Sequence, residues 1–289
     1  MTEEQQTEST PLLGKLIERS ILDVCIPPCP VILDRFMTEA RKEEPDFNLM
    51  ASIISTDVGV SAGLIKTANS AFFGVRQHVR SVNEALAILG MQTASRAVAG
   101  ILLRKTFPNV PNLERFWDTS ARIAHISGWL ALQLRLTGLH AEDTYTFGLF
   151  RDCGIPVLLG RFPEYEKIQQ SASSDAVLNF TEIENAALPT NHAMVGCILA
   201  QNWWLPDEIS LAIRNHHNLA ALQSAKLPLL SRRLIATSQL AEHIVSQQIN
   251  LSLTQEWPKL SAACLNILGL EEAQLEPLCI EAASVPTFQ

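Results

Sequence analysis

SVNEALAILGMQTASRAVAGILLRKTF, residues 81–107, carries the signals that decide the fold. Ser81-Val82-Asn83-Glu84 has the form of a capping box, in which the Ser and Glu side chains each satisfy a backbone N–H left over at a helix start. Gly90 then closes a short helix, and a second runs from about Met91 to Phe107. Apolar residues recur at three- and four-residue spacing along almost the whole chain, with no alternating strand pattern. The chain is therefore expected to be all-α. Pro108 and Pro111 bracket a break, and the next helix, about Asn112 to Leu136, sets Ile123, Ile126, Leu130, Ala131 and Leu134 on one stripe. Further helices are predicted over 11–24, 30–42, 47–55, 58–70, 142–152, 155–161, 180–187, 190–203, 206–217, 228–248, 255–267 and 271–282, with SASSDAVL (171–178) as a polar surface loop.

The chain's 289 residues, 47% of them apolar, suffice for a sizeable core in two helical lobes joined near residue 110. A net charge of -8 argues against a nucleic-acid partner, whose phosphates need a Lys/Arg surface, although a local basic patch is compatible with it. Six cysteines, at 25, 29, 153, 197, 264 and 279, show no CxxC pairing and read as reduced core residues. MTEEQQTESTP at the start lacks the basic and apolar regions of a secretory signal. No stretch reaches the roughly 18 consecutive apolar residues of a membrane span. A soluble, reduced, cytoplasmic protein is the expectation.

Polar side chains occupy inward positions of the helical period at three places. Asp152 lies three residues from both Leu149 and Ile155; His192 shares a face with Val195, Gly196 and Leu199; His216 shares one with Ile209, Ala212 and Ile213, with His217 beside it. A carboxylate and two or three imidazoles aimed into one core suit zinc, iron or manganese. Taken alone, each such histidine reads first as a buried polar group satisfied by its neighbours. His78, His125, His140 and His243 read as surface or partly buried residues, Trp203-Trp204 as an aromatic helix end packed into the core, and the prolines of IPPCP, between Cys25 and Cys29, as a rigid turn. There is no glycine-rich phosphate loop, GxSxG elbow or zinc-finger cysteine pair.

IPPCPVILDRF (26–36), ANSAFFG (68–74), SVNEALAILG (81–90), FWDTSARIA (116–124) and NHAMVGCILAQNWWLPDEISLAIRNHHN (191–218) follow in the order found in the HDOD family, bacterial signalling modules related to the HD phosphohydrolases. The chain resembles that family over roughly residues 20–220. The resemblance implies an N-terminal helical lobe packed on a C-terminal lobe similar to the HD hydrolase core. It divides the chain into a tail and start of the first helix (1–20) and the HDOD-like domain (21–220). Residues 221–289, beyond the resemblance, are helical and apolar on one face, with Leu234, Leu240 and Ile244 as expected core; they are read as C-terminal helices completing the second lobe, the alternative being a partner or dimer surface. Active HD enzymes ligate metal through a first His, a His-Asp pair and a later Asp. By resemblance those positions are Thr119, Arg151-Asp152 and Thr237 here, so only Asp152 survives. Ile155 stands where an HDIGK-like pattern has Lys. His192, His216 and His217 look like the additional histidines of some HD-type sites.

Arginine is a poor metal ligand, because it stays protonated and offers no lone pair. Arg151 is expected to supply positive charge at the vacated position and to pair with Asp152 or another acid, so that no charge is buried uncompensated. Adjacent helical positions do not face each other, which disfavours a direct Arg151–Asp152 pair. The expected function is a non-catalytic bacterial signal-transduction or protein-interaction module, with no catalytic residue and no cofactor. Its partners are separate signalling proteins or a second copy in a homodimer, with no nucleic acid and no membrane. The alternatives are a metal-dependent phosphohydrolase built on Asp152, His192, His216 and His217, and a small-anion or nucleotide sensor in which Arg151 and the three histidines are donors.

Overall fold

Short polar side chains start three of the first four helices. In the computed structural model, which describes residues 24–70, 78–107, 110, 113–249 and 253–285, helix α1 (Val31–Ala40) begins directly after Pro30. Asp46 caps α2 (Phe47–Ser55) by accepting from the N–H groups of Asn48 and Leu49 at 2.9 and 3.1 Å. Asp57 caps α3 (Val58–Ala68) through Val60 N–H at 3.0 Å, and Ser81 caps α4 (Val82–Thr106) through Glu84 N–H at 3.2 Å. Each bond satisfies a donor that has no partner inside its helix. The returning arm of the box goes one residue further back than expected, with Arg80 N–H donating to the Glu84 carboxylate at 2.8 Å. Gly90, at φ +70°, breaks α4 into the two helical runs its sequence predicts.

By length and composition α4 could cross a membrane. It is instead a core element here, burying Leu86, Val98 and Leu103 and holding Arg96 on Asp143 of the second helix group at 2.5 Å.

That second group comprises α5 (Leu113–Leu134), α6 (Ala141–Phe150), α7 (Gly154–Arg161), α8 (Tyr165–Ser174), α9 (Phe180–Ala187), α10 (His192–Asn202), α11 (Asp207–Asn215), α12 (Leu219–Gln223), α13 (Leu229–Gln248), α14 (Glu256–Leu268) and α15 (Leu275–Ala282). Helix α5 packs on α6 and α13, α13 on α14, and α10 on both α7 and α11. Leu234, Leu240 and Ile244 are fully buried in α13. Among the described residues there is no strand.

Two helices depart from the sequence expectation. Residues 171–174 of the predicted surface loop end α8, which buries only Tyr165 and Ala172 and so has too thin an apolar stripe to announce itself. Helix α12 is a single turn capped by Asn218. The predicted helix over 11–24 lies outside the described residues except for Val24, as do Pro108, Pro111 and most of ANSAFFG. The six cysteines are all free.

Trp203 is buried and donates its indole N–H to Pro27 C=O at 3.4 Å. Trp204 donates to Asp34 at 3.3 Å, with the Arg41 guanidinium 4.0 Å over its ring. The tryptophan pair thus latches the end of α10 to α1.

Candidate metal centre

Three helix ends bring the inward polar residues to one point. Residues 151–153 form the turn between α6 and α7, His192 opens α10 behind its cap Asn191, and His216 and His217 follow α11. Close contact of α7 and α10 sets the spacing. A Cβ on Gly154 would sit 2.1 Å from the His192 carbonyl oxygen, so only glycine allows the turn carrying Asp152 to lie against His192.

Nε2 of His192 lies 3.2 Å from Nε2 of His216 and 3.2 Å from Nε2 of His217. Asp152 Oδ1 lies 3.2 Å from His216 Nε2 and 3.6 Å from His192 Nε2. All four ligand atoms fall within 4.8 Å of one another. The other nitrogen of each ring is committed to an acceptor. His192 Nδ1 donates to Glu184 at 2.7 Å, His217 Nδ1 to Glu256 at 2.6 Å, and His216 Nδ1 to the Ile213 carbonyl at 2.6 Å. Carboxylates and carbonyls only accept, so Nδ1 carries the proton in all three rings. Three Nε2 lone pairs and a carboxylate oxygen therefore converge, and they repel unless a cation or an added proton lies among them.

These residues fit a divalent cation. The 3.2–3.6 Å contacts are close to the about 3.3 Å that ligands 2.0–2.1 Å from one ion keep in a tetrahedron. Carboxylates and a carbonyl behind the ring N–H groups are the usual outer partners of metal-bound histidines. The outer partners are themselves held. Glu184 accepts from the Tyr165 hydroxyl at 2.5 Å, and Glu256 from Lys259 at 2.8 Å and Phe180 N–H at 3.3 Å.

The electrostatics differ around the ring of ligands. Burial pushes His217 down to about 3, and the neighbouring His216 adds to the fall despite Glu256. Burial also works against the charged form of His192, but the Glu184 and Asp152 carboxylates raise it above the ordinary histidine value. Burial would raise Asp152, but the charge of the Arg151 guanidinium works against it and is the largest of the influences that hold the carboxyl well below the usual range.

Arg151 is buried and bridges two acids. Its Nε donates to Asp152 Oδ2 at 3.0 Å and its Nη2 to Glu242 Oε2 at 2.6 Å, with Ser238 Oγ 3.4 Å from Nη1. The direct Arg151–Asp152 pair forms because the two residues stand in the turn and the long side chain folds back. Thr119 lines a cavity of about 410 Å³ together with Arg151, Asp152, Phe180, His217 and Glu242. Thr237 is buried next to Ser238 in α13, and its hydroxyl has no hydrogen-bond partner among the described residues.

Sequence reading names the four converging residues but misses the acids around them. Glu184 follows Phe180 by four residues on a buried face, and Glu242 follows Ser238 by four. A carboxylate at an inward helical position is the signal that could have found both. Glu256, in the first turn of α14, is indistinguishable in sequence from an ordinary helix-start acid.

The HDOD domain family profile matches residues 26–219. An uncharacterized protein of Treponema pallidum (strain Nichols) is 28% identical over 238 residues, covering 79% of this chain and 44% of the relative, so the chain spans less than half of that protein's length. A crystal structure from Shewanella amazonensis SB2B, under a provisional phosphohydrolase name, superposes with a TM-score of 0.68 at 20% identity and covers 93% of both chains. Another from Marinobacter aquaeolei VT8, provisionally named a signal transduction protein, gives a TM-score of 0.67 at 22% identity over 94% of this chain and 62% of that one. At these identities the two structures establish a shared fold.

Proposed function

The chain belongs to the HDOD domain family, and on that premise we propose that it is a signal-transduction module that keeps one cation site of an HD-type centre and does not hydrolyse phosphodiesters. Arg151 is the observation that carries the reading. Its guanidinium lies between Asp152 and Glu242, where the family resemblance puts a histidine ligand. A guanidinium has no lone pair and does not deprotonate in proteins. That side of Asp152 therefore carries a fixed positive charge in place of a second ion.

His192, His216, His217 and Asp152 would hold the remaining cation. A bound divalent ion supplies Lewis acidity for polarising a phosphoryl oxygen. Four protein ligands fill a tetrahedral shell, and catalytic sites keep a position open. The three imidazoles are buried, so the cluster ties the α6–α7 turn to α10 and to the residues after α11, fixing the lobe. This favours a scaffold that presents its surface to separate signalling proteins over one that turns over substrate. Arg151 is also a poor receptor for a small anion, since both of its charged neighbours already neutralise it.

Hydrolysis of bis(p-nitrophenyl) phosphate with added manganese, iron or zinc tests the reading. The expected result is no turnover above the protein-free blank. Reproducible turnover that Asp152→Ala abolishes would overturn it and restore the phosphohydrolase alternative.

A further inference from the structure

A second cavity, also of about 410 Å³, lies where α3 and α4 face α5 and α6. Its charge runs against that of the chain. The protein carries -8, yet Lys66, Arg96, Arg104 and Arg122 line this one space with His125, opposed by Asp118 and Glu142. Arg96 is taken up by Asp143. Arg104 gives one amino group to the Trp117 carbonyl at 2.8 Å, which fixes the side chain and, among the described residues, leaves most of its N–H donors unengaged. Arg122 is exposed at the cavity rim, one helical turn from Asp118.

The rest of the wall is aromatic and apolar. Tyr145 and His125 meet edge to face, with centroids 5.2 Å apart, and burial pushes the Tyr145 hydroxyl up against the opposing pull of the Arg104 charge. Ile101 and Leu149 complete that side. The volume is that of a small-molecule site, and such sites combine an apolar lining with a few placed polar groups. Arginines not consumed by acids select phosphate or carboxylate. A long polyanion is disfavoured, because it would have to lie along the acidic surface beyond the cavity, whereas a small anion feels mainly the charges within a Debye length of about 8–10 Å.

We infer that this interlobe cavity binds a nucleoside phosphate, with the phosphate on Arg104 and Arg122 and the base against Tyr145 and Leu149. The inference does not depend on the cation reading. Helix α6 lines the cavity through Tyr145 and Leu149 and then delivers Arg151 and Asp152, so one helix touches both sites.

Titration of the full chain with AMP, GMP, ATP, GTP and inorganic pyrophosphate, followed by calorimetry and thermal melting, tests it. At least one nucleotide is expected to bind one-to-one, more tightly than pyrophosphate, and to raise Tm by about 3 °C at ten times its Kd. Arg122→Glu, at an exposed position that folding tolerates, and Arg104→Gln should each weaken that binding about tenfold or more, while Lys226→Glu, an equal charge reversal at an exposed position outside the cavity, leaves it intact. No binding by any nucleotide at millimolar concentration would overturn the inference. So would pyrophosphate binding as tightly as the nucleotides, or affinity that survives both Arg122→Glu and Arg104→Gln.

Discussion

Gly154→Ala is expected to destabilise the second helix group severely. The added Cβ would meet the His192 carbonyl oxygen at 2.1 Å, its carbon at 2.8 Å and the Gly196 nitrogen at 2.9 Å. All three are backbone atoms, so no side chain can rotate out of the way. Helix α7 would have to move off α10, taking Asp152 away from the histidines. Overpacking of this kind exceeds the usual 1–3 kcal/mol, and a loss of about 4 kcal/mol or more is expected. Gly160→Ala in the same helix is the control. Its Cβ would meet Val110 Cγ2 at an ordinary 3.6 Å, and removing a helical glycine should stabilise by up to about 1 kcal/mol. Denaturant midpoints followed by circular dichroism measure both. A Gly154→Ala midpoint equal to the parent's would show that α7 and α10 are not in contact at this position.

Arg151→Met should cost about 3–5 kcal/mol, the usual penalty for removing one partner of a buried ion pair. The guanidinium is the cation paired with Glu242, and Glu242 is buried, with Thr254 a further hydrogen-bond partner at 2.8 Å. Much of the cost is the desolvated carboxylate left behind. The double variant Arg151→Met, Glu242→Leu should therefore recover at least half of the loss, since apolar replacements of buried pairs are often near neutral. A single-variant loss below about 1 kcal/mol would mean that the guanidinium does not neutralise buried charge here.

The helices were legible wherever an apolar stripe repeats. Helices α2 and α9 match their predicted limits, and Gly90 divides α4 where its left-handed conformation demands it. Helix α8 was not legible, because a polar helix that buries two side chains has almost no period to read. The cluster divides along the same line. His192, His216, His217 and Asp152 break an apolar face and so stand out in sequence. Glu184 and Glu256 pair with histidines 8 and 39 residues away, and Glu242 with an arginine 91 residues away. Those contacts depend on how α9, α13 and α14 pack, which local spacing does not encode. The Arg151–Asp152 contact shows the converse limit. A rule for regular helices disfavours it, and the turn at 151–153 permits it.

Metal content by plasma mass spectrometry tests the central claim most directly. The parent chain, prepared without chelator and then desalted after incubation with manganese, iron or zinc, is compared with the double variant Asp152→Ala, His216→Ala. The account predicts about one ion per chain in the parent and none in the variant, since the four ligands act as a set. A parent that stays empty after all three metals, or a variant that retains the ion, would contradict it.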